Sequence, residues 1–88
     1  PSDMRVRLGE WDVNHETEIY PYDEKDVAAV FVHPDYYAGN LYNDIAVLKL
    51  VSYVDFRYHP HISPACMPDL HQDFTGYRCF TTGWGKDN

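Results

Sequence analysis

The sequence is short of positive charge: seven Lys and Arg stand against 14 Asp and Glu, a formal net charge of −7. That balance argues against a general nucleic-acid-binding role, because neutralising phosphates takes clustered Lys and Arg. No apolar run approaches the roughly 20 residues that a membrane-spanning helix needs, so no membrane span is expected. Cysteine is scarce, with only Cys66 and Cys79. They form no Cys-x-x-Cys pair and have no histidine at zinc-ligand spacing, so a structural zinc site is not expected. They could bridge each other in an oxidising compartment, or each could pair elsewhere; number alone leaves this open. There is no Asn-x-Ser/Thr glycosylation site, no internal repeat, no low-complexity tract and no sustained 3.6-residue apolar period. The chain also lacks an initiator Met and a hydrophobic leader, starting Pro1-Ser2-Asp3 and stopping Lys86-Asp87-Asn88. An excised or processed segment is therefore expected.

What is present is a globular composition. At 44% hydrophobic and 16% aromatic, the chain is too apolar and too aromatic for a disordered tail. Its 88 residues allow one small domain or part of a larger one, since all-β barrels often run to roughly 200–250 residues. Met4 to Leu8 alternates Met4, Val6 and Leu8 with Arg5 and Arg7, the period of a strand, and Gly9 ends it. Val27 to Val32 is a β-branched run stopped by His33-Pro34. Asp35 to Asn40 is turn-like. Asp44 to Val51 is so nearly continuous in its apolarity that a strand covered on both faces is expected. Residues 52–70 carry Pro60, Pro64 and Pro68, which interior strands and helices tolerate poorly, so they read as an extended connector. Tyr77 to Thr82 resumes a β-like alternation before Gly83-Trp84-Gly85. Short strands joined by Gly/Pro turns, without helices, predict an all-β fold.

The acid is localised. Glu10, Asp12, Glu16, Glu18, Asp23, Glu24 and Asp26, seven of the 14 carboxylates, fall in residues 10–26 against the single base Lys25. Composition favours a solvated surface loop there; an oxygen-rich cation site is the sharper alternative. His59-Pro60-His61 is read as exposed connector, Trp11 and Trp84 as packing residues, and the tyrosine pairs as loop residues packing on the fold. Asp44 is different in kind. A carboxylate placed just before an apolar strand is costly unless hydrogen-bonded or paired, so a specific partner is expected, with histidine a good candidate.

Three segments, in this order and spacing, resemble the chymotrypsin-like (trypsin-type) serine proteases: Tyr42-Asn43-Asp44-Ile45-Ala46-Val47-Leu48-Lys49-Leu50, Ile62-Ser63-Pro64-Ala65-Cys66-Met67-Pro68 and Cys79-Phe80-Thr81-Thr82-Gly83-Trp84-Gly85-Lys86. Arg7-Leu8-Gly9-Glu10 and Phe31-Val32-His33-Pro34-Asp35-Tyr36 are similar to the family's earlier strand and turn. Within the family, Gly9-Glu10-Trp11-Asp12, Tyr36 to Asp44 and Thr81 to Asp87 resemble the arthropod clip-domain protease homologues. Members of that group share the protease fold, commonly have the nucleophilic serine replaced, and are thought to act as extracellular cofactors or regulators.

The resemblance implies a partial trypsin-like double antiparallel β-barrel. Residues 1–58 would supply later strands of the first barrel, 59–70 the inter-barrel connector, and 71–88 the start of the second. Asp44 falls at the position of the triad acid, which holds the catalytic imidazole in its tautomer and stabilises the imidazolium. None of His15, His33, His59, His61 or His71 is followed by Cys as the family's base is, so the base is expected before Pro1. Ser2, Ser52 and Ser63 lack a Gly-Asp-Ser-Gly-Gly context, so the nucleophile is expected downstream. Cys66 and Cys79 would each pair with a cysteine outside the segment, implying a secreted, extracellular setting. No cofactor is required. Some family members hold calcium in the loop matching the acidic run, with Glu10, Asp12 and Glu24 the expected contributors here. The expected function is a non-catalytic regulator whose partners are extracellular proteins, a protease-cascade component or a zymogen. The alternative is an active serine endopeptidase.

Overall fold

The computed structural model describes residues 3–14 and 19–86. Its regular structure is three strands, β1 (Arg5–Leu8), β2 (Asp23–Val32) and β3 (Ala46–Leu50), and no helix occurs among the described residues. They form one antiparallel sheet in the order β1-β2-β3. The expectation of an all-β chain is met.

The first pairing explains where β2 begins. Arg5 lies opposite Asp26 and Arg7 opposite Glu24, so two bases on one strand meet two acids on the next. Directly opposed opposite charges favour a cross-strand pair. Arg5 Nε is 3.2 Å from Asp26 Oδ1, and Arg7 Nε is 3.3 Å from Glu24 Oε2. The acidic run expected to be loop to residue 26 is therefore strand from Asp23 onward. On the other face Lys25 Nζ donates to Ser52 Oγ at 2.9 Å, and Val27 is buried. The β2–β3 ladder shifts register between Val27 and Ala29. Such a bulge bends the strand and increases its twist, here at the point where β2 passes from β1 to β3.

β3 departs from expectation. The near-continuous apolar run predicted cover on both faces, yet four of its five residues are exposed, Val47 at 63%. A strand needs a second layer for that cover, and the described residues supply none: Val27 and Ile62 are their only buried hydrophobics. Residues 51–86 form no strand. The alternation in Tyr77 to Thr82 marks a segment suited to a ladder, but no described segment lies beside it to make one. Local turns order this region instead. Arg57 holds the Asp55 carboxyl below the usual carboxylate range by donating to both its oxygens, and Thr75 lowers Asp73 by donating its hydroxyl and its N–H to Oδ1.

Candidate functional site

Asp44 sits at the end of the turn that joins β2 to β3. The turn is closed by the Tyr37–Tyr42 bridge and the Leu41 N–H donating to Tyr37 O at 2.8 Å. Its last corner is unusual, with Leu41 at φ 59° and Asn43 at φ 57°. Left-handed backbone costs an L-residue roughly 1–2 kcal/mol, least for Asn and Asp, whose short polar side chains bond locally. Asn43 does so: its Nδ2 donates to Asp35 O at 3.0 Å, while the Asp35 N–H donates to His33 Nδ1 at 2.9 Å. Asn43 thus ties the corner to the end of β2 and fixes the direction in which the chain presents Asp44. This clamp was not anticipated from the sequence; its signal was the Asn immediately before Asp44.

Asp44 is exposed. It lines a recess of about 260 Å³ with Val32, Tyr36, Ile45 and Ala46. Among the described residues nothing hydrogen-bonds or ion-pairs with it. His33 is occupied with Asp35, His59 Nε2 stands 3.5 Å from Asp23 Oδ2, and His61 Nε2 donates to Pro21 O at 3.0 Å; His15 lies outside the described residues. No described histidine is bonded to the Asp44 carboxylate. Ser52 accepts from Lys25, and Ser63 lies in the exposed connector. Ser2 lies outside the described residues.

The calcium expectation rested on Glu10, Asp12 and Glu24. The structure brings Glu10 and Glu24 together, but around Arg7: Nη1 is 3.3 Å from Glu10 Oε2, and Nε is 3.3 Å from Glu24 Oε2. Glu24 Oε1 also accepts from Arg5 at 3.2 Å. Glu24, then Tyr22 and Glu10, raise the Arg7 guanidinium above its ordinary value. Asp12 Oδ1 accepts the Asn14 N–H at 2.9 Å. Calcium takes six to eight oxygens, and the described residues gather no group of three His, Cys, Asp or Glu that could hold a metal. One feature does fit a cation: Glu10 Oε1 is buried without a hydrogen-bond partner. Glu16 and Glu18 lie outside the described residues.

The connector is more than exposed chain. His61 stacks on Tyr20 at 5.3 Å between ring centroids, and His59 meets His61 edge-on. Ile62 is buried. Gly9 lets this segment in: at φ +78°, a Cβ built on it would fall 2.5 Å from His61 Nε2 and 2.9 Å from Ile62 Cγ1. Trp84 Nε1 donates to Trp11 O at 3.1 Å, so the two tryptophan segments meet although both indoles remain exposed. Cys66 and Cys79 are exposed and not bridged to each other.

Among the described residues, then, the antiparallel sheet presents one aspartate, at the end of the β2–β3 turn, beside a small recess. The trypsin family profile matches residues 1–88, and the chain belongs to that family. Among its relatives, it is 47% identical over 85 residues to an inactive CLIP domain-containing serine protease A3 of Aedes aegypti, covering 97% of this chain and 18% of that protein. It is 42% identical over 85 residues to phenoloxidase-activating factor 2 of Galleria mellonella, covering 96% of this chain and 27% of that protein. It is 39% identical over 85 residues to serine proteinase stubble of Drosophila melanogaster, covering 97% of this chain and 10% of that protein. The chain therefore spans about a quarter or less of the length of these relatives, and the sheet it forms is part of a trypsin-like β-barrel. Among the described residues no helix is long and apolar enough to cross a membrane.

Proposed function

We propose that this chain is part of a secreted, trypsin-like protease homologue that does not cleave peptide bonds and acts as an extracellular regulator or cofactor in a protease cascade. The observation that carries this reading is the 47% identity to a relative named as inactive. Likeness to a phenoloxidase-activating factor supports a place among cascade proteins, with a zymogen or another cascade component as partner. Cys66 and Cys79, both exposed, are suited to disulfides with cysteines elsewhere in the protein, which supports an oxidising, extracellular setting. Asp44 does not decide between dead and active forms. An aspartate that orients an imidazole attacks nothing itself, so it can persist after the serine is lost.

A second reading, an active serine endopeptidase, is favoured by the likeness to stubble, named as a serine proteinase. The two separate on the residue after Gly-Asp in the downstream Gly-Asp-x-Gly-Gly segment of the full-length protein. Glycine is expected there, and a fluorophosphonate probe is expected to leave the intact, processed protein unlabelled. Serine at that position with covalent labelling would establish the second reading. Asp44→Asn should then lower kcat by about 10⁴-fold, the loss that follows when the triad imidazole is held in the wrong tautomer.

A further inference from the structure

The residues expected to gather calcium surround a guanidinium instead. Arg7 is placed by strand register, opposite Glu24 on β2, so its position follows from the same ladder that forms the sheet. Glu10 reaches it from the turn after β1. The Glu10 side chain is only 4% exposed, and a carboxylate so buried needs a counter-charge within reach. Arg7 is the base that supplies it. The Arg7 guanidinium carbon also lies 4.4 Å from the centroid of the Tyr22 ring, a cation–π contact that holds the group over the residue just before β2.

We propose that Arg7 is the resident cation of this hairpin, balancing Glu10 and Glu24 in place of a divalent metal, so that the fold around Gly9 is independent of calcium. A guanidinium suits this role. It presents five N–H donors in a rigid fork and carries its charge at every pH at which the protein folds. One fork can therefore bridge carboxylates from two elements, as Nη1 and Nε do here. A calcium ion entering between the same carboxylates would have to displace Arg7 from Glu10 Oε2 and Glu24 Oε2. It would find both Glu24 oxygens already accepting from arginines and Asp12 Oδ1 accepting from the backbone. The buried Glu10 carboxylate, whose Oε1 has no hydrogen-bond partner, makes the test sharp: with the guanidinium gone it has no counter-charge, and among the described residues no third ligand is at hand to form a calcium site. This inference does not rest on whether the protein is catalytic.

The test uses the full-length protein, stripped with chelator and titrated with calcium chloride, followed by calorimetry and by the melting temperature. The unsubstituted protein is expected to give no calcium heat and the same Tm in chelator and in calcium. Arg7→Gln is expected to lower Tm by several degrees, equally in chelator and in calcium; Arg7→Lys, which keeps a charge but not the fork, should fall between. Should Arg7→Gln not fold, Glu10→Gln decides the matter, with a Tm loss expected to be equal in chelator and in calcium. Calcium heat with a raised Tm in the unsubstituted protein, an Arg7→Gln protein as stable as the unsubstituted one, or a Glu10→Gln loss seen only in calcium would each overturn the proposal.

Discussion

The 88-residue chain, expressed alone, is expected to show no cooperative thermal transition. Its core is too small to hold it. Val27 at 6% exposure and Ile62 at 9% are the only buried hydrophobics among the described residues, and burying such a side chain stabilises by about 1.5–3 kcal/mol. Ordering the backbone costs about 1–2 kcal/mol for every residue fixed. Half-buried residues such as Val6, Val30 and Leu50 add to the favourable side but do not change its order of magnitude. Meanwhile Phe31, Val47, Tyr53 and Phe80 remain exposed, and the sheet's outer strands β1 and β3 each have one neighbour. Unpaired edges of this kind invite association with other chains. The measurement is near-ultraviolet circular dichroism against temperature, with binding of a hydrophobic dye at low temperature. A broad, featureless melt and strong dye binding are expected. A sharp two-state transition would show that the three strands and the connector suffice for folding, and would overturn the expectation.

The segments that were legible in the sequence are those whose information is local. Asp44 to Val51 combined a polar head with a nearly continuous apolar run, and the structure places β3 inside that span. Met4 to Leu8 alternated with period two, and β1 occupies Arg5–Leu8 of it. The start of β2 was misplaced because a carboxylate-rich run looks like solvated loop until its partners are known. The signal was nonetheless present, as Arg-x-Arg in one segment and Glu-x-Asp in the other, each with strand period. Cover over β3 was expected from its apolarity, and the layers to supply it do not occur among the described residues. Apolarity on both faces records what a strand can pack against, while burial depends on which layers are there to pack. The contacts of His61 and Trp84 were not legible at all: His61 bonds to a carbonyl 40 residues away, and Trp84 to one 73 residues away. No periodicity encodes such a meeting. The resemblance implied a triad-acid position for Asp44, but only the structure showed that its corner is held by Asn43 and that Arg7 stands between Glu10 and Glu24.

Gly9→Ala in the full-length protein is expected to be strongly destabilising, and Gly76→Ala only mildly so. Both glycines have left-handed backbone, φ +78° and φ +83°, and at either one an alanine bears the roughly 1–2 kcal/mol of that conformation. They differ in what surrounds the added carbon. At Gly76 nothing lies within 4 Å, whereas at Gly9 the carbon would sit 2.5 Å from His61 Nε2 and 2.9 Å from Ile62 Cγ1. His61 cannot retreat freely, since its ring is stacked on Tyr20 and bonded to Pro21 O. Ile62 is half of the buried hydrophobic pair. The substitution therefore acts on two elements at once, pushing the connector off the turn after β1 and exposing Ile62, so its cost should exceed that of Gly76→Ala by at least about 1 kcal/mol, the order of cost of overpacking a closed site. For a domain of trypsin-like size each kilocalorie per mole corresponds to about 2–4 °C in Tm, so the two variants should melt several degrees apart. His61→Ala made together with Gly9→Ala should recover part of the difference, because residues in contact do not add independently. Equal Tm losses for the two glycine variants, or no coupling to His61, would mean that the connector does not rest on Gly9 in the folded protein.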